Sequence, residues 1–296
     1  MADTARLEQS LFRSADQRML RKPRHRLGLA ATIEPPLGPA HQPKESRIMT
    51  TLITGGTKGI GLAIAERLSR PGEKLVLAYL ADDAGAADAR QRCTAKGAQV
   101  TTLRSDVSTI EGCEALMAGI GQLGGGLQHI VHSAAMVYPT NMLDADLAKF
   151  TRAMQANGLS LFYLVRTAMP MLGRGSSIVF ISSAGARTAR PGYAALGVGK
   201  ALAEAVIRYL VPELAPLGIR INAAAPGLVH TTSVAKMTGS EELALKRVQQ
   251  AASANPSGRA SRDSDYTSLV EYLLSPDAEF IQGQVIHANG GVYVGV

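Results

Sequence analysis

Two stretches of this 296-residue chain combine residue types and spacings that do chemistry. Thr54-Gly55-Gly56-Thr57-Lys58-Gly59-Ile60-Gly61 follows the apolar run Thr50–Thr54 and opens a helical pattern at Ile60, Ala63, Ile64 and Leu68. Strand, glycine turn and helix in that order form a dinucleotide fingerprint. Gly55 allows the tight turn, Gly59 lets backbone approach a pyrophosphate, and Gly61 permits close helix–sheet contact. Free N–H groups at the helix start then face the phosphates. The second stretch runs from Tyr193 to Lys200. A phenol is a proton donor and an ammonium a fixed cation. Seven residues at about 100° each come within roughly 20° of two full turns, so both side chains share a helix face, about 10 Å apart along its axis.

Such groups need a scaffold, and the chain alternates in the way that builds one. Further strand-like runs are Lys74–Leu80, Val100–Leu103, Ile130–Ser133, Ser177–Ile181, Arg220–Ala223 and Val285–Ala288, with helical segments between them, among them an alanine-rich one over 84–96. Strand–helix alternation at this spacing implies right-handed crossovers and a mainly parallel sheet covered on both faces. The expected architecture is α/β: a single doubly wound, Rossmann-type domain over 49–296, without internal repeats.

Composition narrows the function classes. Hydrophobic residues at 46% against 19% charged describe a globular chain with a large core. No run reaches the roughly 18 uninterrupted apolar residues of a membrane span. Cys93 and Cys113 make neither a disulfide framework nor a metal site, which fits a reducing, cytoplasmic compartment with no metal. No tryptophan and 4% aromatic residues argue against stacking on single-stranded nucleic acid. The net charge of +7 is unevenly spread: residues 1–48 hold nine Lys/Arg against five Asp/Glu, leaving 31 − 9 = 22 against 24 − 5 = 19, or +3, for the rest. A body that mildly basic gives a nucleic-acid partner little support.

Residues 1–48 stand apart, with prolines at 23, 35, 36, 39 and 43 and no sustained periodicity. Their apolar stretch is short for a signal peptide, and their acids count against a transit peptide. The expectation is a disordered or non-native extension, with Met49 as the natural start.

The Thr-Gly-x3-Gly-x-Gly spacing resembles the short-chain dehydrogenase/reductase superfamily, and further stations follow in order. They are Asp106-Val107, Asn157, Ile181-Ser182-Ser183, Asn222 to Gly227 with Thr231 beyond, and Asn289-Gly290-Gly291. The resemblance covers 49–296. It departs at His132-Ser133-Ala134-Ala135, where the family has Asn-Asn-Ala-Gly. His132 there is expected as a strand-end histidine paired with backbone rather than a catalytic group. Ketone-reducing members use Tyr-x3-Lys, but four residues before Lys200 stands Leu196. Tyr-x6-Lys is similar instead to the enoyl-acyl-carrier-protein reductases, and most to the NADPH-dependent FabL type. That likeness extends through Ser182–Arg220 and resumes at Asn255–Arg259, Glu271–Leu274 and Gly283-Gln284.

The resemblance implies conjugate reduction of a trans-2-enoyl thioester, carried by coenzyme A or acyl carrier protein. Tyr193 would donate to the enolate oxygen, and Lys200 would bind the nicotinamide ribose while its charge favours tyrosinate. Asn157 would support the lysine, and Ser183 would either line the pocket or only end its strand. Cofactor contacts are implied at Thr54, Gly55, Thr57, Lys58, Gly59, Ile60, Gly61, Asp106, Val107, Ala134, Lys200, Pro226, Gly227, Val229 and Thr231. Tyr79 stands where NAD-specific members place an acid, and Lys58 is placed to meet a 2′-phosphate. Both favour NADPH over NADH, whereas Asp82 and Asp83 argue the other way. Residues 229–250 are expected as a lid with Met237, Leu243 and Leu245 as candidate lining. Lys236, Lys246 and Arg247 are candidates for an acidic carrier protein or a solvated face. The family likeness also implies a homotetramer. Reduction of another carbonyl or activated alkene is the alternative reading, and a non-catalytic dinucleotide-binding regulator is the third.

Overall fold

The computed structural model describes residues 49–295, so the expected extension over 1–48 lies outside the described residues. Seven strands, β1 (Met49–Thr54), β2 (Lys74–Tyr79), β3 (Gln99–Arg104), β4 (Gly126–His132), β5 (Ser177–Ile181), β6 (Arg220–Pro226) and β7 (Val285–Ala288), form one sheet. Its order is β3-β2-β1-β4-β5-β6-β7, and every pairing is parallel. The doubly wound α/β expectation therefore holds.

Strand side chains alternate between two buried faces, as parallel strands covered on both sides require. Leu52, Val76, Ile130, Ile178 and Phe180 pack with α3 (Ile110–Gln122), α5 (Ser160–Ala168) and α6 (Ala194–Leu214). Ile53, Leu75, Leu77, Val131 and Val179 face α1 (Gly59–Leu68), α2 (Asp83–Ala95) and α9 (Asp263–Leu274). Cys113 joins the first layer and Cys93 the second, both as buried free thiols. The expected β4 starts late because polar Gln128 and His129 interrupt its apolar run. The strand begins at Gly126, and its register against β1 slips between Thr50 and Thr51.

The departure at His132 resolves into a buried hydrogen-bond chain. The Ala134 N–H donates to Thr54 Oγ1 at 3.3 Å. That hydroxyl lies 2.7 Å from His132 Nδ1. On the other side of the ring, Nε2 lies 2.8 Å from Ser160 Oγ, which donates to the Ala156 carbonyl at 2.8 Å. The directions close only if Thr54 donates to Nδ1 and the Nε2–H donates to Ser160. His132 thus bonds side-chain hydroxyls rather than the expected backbone, and it ties the ends of β1 and β4 to α5. Both ring nitrogens are engaged and the residue is fully buried, which leaves it no catalytic role. Burial, reinforced by the charge of Lys200, pushes its pKa down to about 3.

His132→Asn should destabilise the protein by about 1–3 kcal/mol near neutral pH, because one buried hydroxyl loses its partner. A base with a depressed folded pKa contributes fully above its unfolded value, 6.5, and its contribution falls as pH drops toward 3. In that window the unfolded wild type takes up a proton that the folded protein refuses. The gap between wild type and variant should therefore narrow, at a slope approaching about 1.4 kcal/mol per pH unit. Urea unfolding at a series of pH values reads this directly; a gap that widens on acidification contradicts it.

Candidate active site

The strand order reverses between β1 and β4, where open parallel sheets bind ligands at the carboxyl ends of their strands. A cavity of about 1300 Å³ opens there, larger than the roughly 300–1,000 Å³ of a single small-ligand site. Of the expected catalytic and cofactor-contact residues, all except Gly61 and Asn157 line it.

The glycine turn is shaped by close approaches. Gly55 has φ +63°, and a Cβ there would sit 3.0 Å from the Ala134 backbone. The small residue needed at this crossing is thus on the β1 side, which accounts for the tolerance of alanines at 134 and 135. Gly61 does not touch the sheet as expected; a Cβ on it would lie 2.2 Å from the Gly55 carbonyl oxygen, so it brings α1 against its own turn. Lys58 precedes α1 in extended conformation and makes no side-chain cap. The first helical N–H groups are then left for a ligand.

Tyr193 stands at the N-cap of α6, one residue outside the helix. Its backbone is strapped by Thr140, whose N–H donates to Gly192 O at 3.0 Å and whose carbonyl accepts from Ala194 N at 3.2 Å. Its ring fills a slot that Gly185 leaves open: a Cβ at 185 would meet Cε1 at 2.4 Å. Burial raises its pKa, while Ser183 and the charge of Arg190 pull the other way. Ser183 Oγ accepts from Gly185 N at 3.1 Å, leaving its own proton for the Tyr193 oxygen.

The Lys200 ammonium is bonded to the strand below Tyr193's helix. It is buried, with Nζ donating to Ile181 O at 2.6 Å and lying 4.4 Å from the Phe180 ring centroid. Burial lowers its pKa to about 7, against the upward pull of Glu204 one turn on. Glu204 is held by Ser182 Oγ at 2.6 Å and Arg187 Nε at 2.5 Å. With Tyr193 raised and the nearby ammonium turned away, the phenol stays protonated at neutral pH. A proton donor needs that state; a tyrosinate would not serve.

Asn157 lies in a π-helical turn, Gln155–Leu159, between α4 (Leu147–Met154) and α5. Its side chain accepts from Met136 N at 2.7 Å and donates to Met136 O at 3.0 Å and Ala195 O at 3.4 Å. It fixes the loop after β4 and the first turn of α6, and does not touch Lys200. Beyond β6, α7 (Thr232–Thr238) and α8 (Glu241–Ser253) form the segment expected over 229–250. Met237 lines the cavity; Leu243 and Leu245 are half-exposed and do not. Lys236 and Arg247 line it too, whereas Lys246 does not. Gly185, Thr140 and Arg190 were not anticipated. The Arg190-Pro-Gly-Tyr193 spacing is the signal that would have found the arginine.

The family model described as enoyl-(acyl carrier protein) reductase matches residues 55–293, and the chain belongs to the short-chain dehydrogenase/reductase superfamily. The 1-cyclohexenylcarbonyl-CoA reductase of Streptomyces collinus is 31% identical over 86% of this chain and 91% of that protein. A tropinone reductase homolog of Arabidopsis thaliana is 34% identical over 83% of this chain and 90% of that protein. Among solved structures, a dehydrogenase/reductase from Sinorhizobium meliloti is similar with a TM-score of 0.75 at 26% identity, covering 83% of this chain and 95% of that one. Membership makes the chain an oxidoreductase and implies a nicotinamide dinucleotide. The residues present fit that group: glycines where a Cβ would intrude, open N–H groups, and room for a second ligand.

Gly61→Ala should cut dinucleotide affinity more than tenfold, because the new methyl meets backbone rather than a flexible side chain. Fluorescence titration with NADPH reads the loss, with circular dichroism showing the fold retained. Unchanged affinity would mean the turn relaxes freely.

Proposed function

We propose that this protein reduces the trans-2 double bond of an enoyl thioester, carried by coenzyme A or acyl carrier protein, with NADPH. The observation carrying this reading is the position of the proton donor. Tyr193 sits at the helix N-cap in the cavity wall, while Leu196 occupies the place four residues before Lys200 and lines the same cavity. A donor one turn further out, about 5 Å, suits an oxygen remote from the carbon under attack. In an enoyl thioester the attacked β-carbon and the oxygen that gains charge are separated in just that sense. The family description and the printed activity of the Streptomyces collinus relative support the same substrate class.

The dinucleotide, when bound, supplies the hydride. Gly55, Gly59 and the N–H groups opening α1 hold its pyrophosphate, with Asp106 and Val107 at the adenine and Pro226, Gly227, Val229 and Thr231 toward the nicotinamide. Lys200 is placed to leave the Ile181 carbonyl for the ribose hydroxyls. As charge develops on the thioester oxygen, Tyr193 donates to it, and Ser183 stabilises the phenolate left behind. Asn157 acts as a positioning residue, through Met136 and Ala195. Helices α7 and α8 serve as a lid that excludes water.

NADPH is favoured over NADH because the acids after β2 are already engaged. Asp82 accepts from Gly85 N at 2.9 Å, and Asp83 accepts from the Tyr79 hydroxyl at 2.8 Å. One oxygen of each is thus held by a local bond, while Lys58 lines the cavity. Lys58→Ala should raise the KM for NADPH and leave that for NADH nearly unchanged; equal effects on both would remove the phosphate role.

A carbonyl substrate is the second reading, favoured by the 34% identity to the Arabidopsis thaliana tropinone reductase homolog. NADPH consumption with crotonyl-CoA and with acetoacetyl-CoA separates the two. The alkene should be reduced and the ketone little touched. Tyr193→Phe should lower kcat on the alkene by about 10²–10⁴ with NADPH affinity preserved. A preference for the ketone overturns the assignment.

A further inference from the structure

The cavity is divided by charge along the sheet. Its two lining carboxylates, Asp82 and Asp106, follow β2 and β3 on one side of the β1/β4 junction. Both are engaged locally, Asp106 by Ser108 N at 3.0 Å and Ser108 Oγ at 2.6 Å and Asp82 by Gly85 N. On the other side, elements after β4 contribute no carboxylate and, besides the buried Lys200 bonded to Ile181 O, four lining cations: Arg152 from α4, Arg190 before Tyr193, Lys236 from α7 and Arg247 from α8. None of the four joins an ion pair among the described residues. The contrast is local: Arg187, three residues before Arg190, pairs with Glu204. A solvated charged face would point outward; these side chains line the cavity where the second ligand must lie. A cleft lined by one sign of charge concentrates ligands of the other.

We infer that the substrate half of this cavity is an anion receptor, with Arg190 and the lid residues Lys236 and Arg247 selecting a thioester that carries anionic oxygens. Those oxygens belong either to a carboxylate on the acyl group or to the phosphates of the carrier. The inference rests on the thioester reading of the same site. Arg190 is its central residue, because it lines the cavity together with Tyr193 and its carbonyl accepts from Tyr193 N at 3.1 Å, which ties it to the reacting group. A guanidinium offers paired N–H donors to either kind of anion.

Three alkene probes separate the sources: crotonyl-pantetheine, neutral; glutaconyl-pantetheine, with a carboxylate on the acyl chain; and crotonyl-CoA, with phosphates on the carrier. Their saturated counterparts, butyryl-pantetheine, glutaryl-pantetheine and butyryl-CoA, are titrated calorimetrically into the full-length protein with NADP⁺ present. One or both anionic members should exceed the neutral one about tenfold in kcat/KM and in affinity, the scale of one charge-assisted contact. That advantage should shrink as salt rises. It should fall toward unity in Arg190→Gln and persist in part in Arg190→Lys. Whichever anionic probe gains identifies the source. Equal affinity for all three saturated probes overturns the inference, whatever the turnover, and wild-type binding alone decides this should Arg190→Gln fail to fold. If no probe is reduced while anionic ones still bind more tightly, the enoyl reductase reading fails and the receptor stands. The double variant Lys236→Gln/Arg247→Gln tests the lid's share by the same binding ratio.

Discussion

The close approach of Gly55 to Ala134 lies in the cavity wall at the β1/β4 junction, and much of the site depends on it. Here the turn after β1 passes so close to the end of β4 that a single methyl would touch backbone at 3.0 Å. Such an approach needs something to hold the two strands in register. The Thr54–His132–Ser160–Ala156 chain does this with every donor and acceptor matched. Because Ala156 belongs to the π-helical turn, the constraint runs onward. It sets the turn that presents Asn157, which in turn fixes Met136 and the start of α6, where Tyr193 stands. π-turns of this kind recur at functional sites because an extra residue re-aims a side chain. Two further glycines keep the relay tight: a Cβ at Gly199 would meet the Asn157 Cβ at 2.5 Å, and one at Gly158 would meet the Gly199 carbonyl at 2.9 Å.

The protonation of the site follows from what is buried and what each charge is bonded to. The family likeness implies that the charge of Lys200 favours a tyrosinate at Tyr193. The structure instead draws the ammonium down to the Ile181 carbonyl and the Phe180 ring. There it depresses His132 rather than Tyr193. The phenol is left to burial, which raises it, and to Ser183 and Arg190, which moderate that rise. A neutral donor with a hydrogen bond ready for its conjugate base is the arrangement an oxyanion requires.

How much of this was legible in the sequence depends on whether a feature is local. The sheet and its alternation could be read, and nearly every residue expected at the catalytic and cofactor positions lines the cavity, because glycine spacing and period-two burial are written in neighbouring residues. Strand ends were read less well where polar residues such as Gln128 and His129 lie inside a strand. The bonding partners of His132 and Lys200 were not legible, for one shared reason. Their partners, Thr54 and Ser160 for the one and Ile181 for the other, lie 19 to 78 residues away. Gly185 escaped notice because a glycine that makes room for a distant ring looks like any turn glycine. Lys236 and Arg247 look like surface charges in sequence; only the fold of α7 and α8 brings them to the cavity while Lys246 stays out.

The same sheet order that makes the cavity also sorts its charges. Loops after β1, β2 and β3 gather on one side, and one oxygen of each acid there is engaged by local turns at Ser108 and Gly85 and by the Tyr79 hydroxyl. That side therefore presents backbone N–H groups and Lys58 to a phosphate-bearing ligand. Segments after β4, β5 and β6 gather on the other, where Arg190 and the lid cations have no carboxylate opposite them. Holding like charges together without partners costs stability, and a folded chain tolerates it where a ligand completes the balance. The two sides differ in what each offers a ligand: backbone dipoles and Lys58 beside the glycine turn, and long cationic side chains beyond β4. Fixed dipoles suit a ligand whose phosphates never change, whereas flexible cations can follow an anion whose distance from Tyr193 varies with the acyl chain.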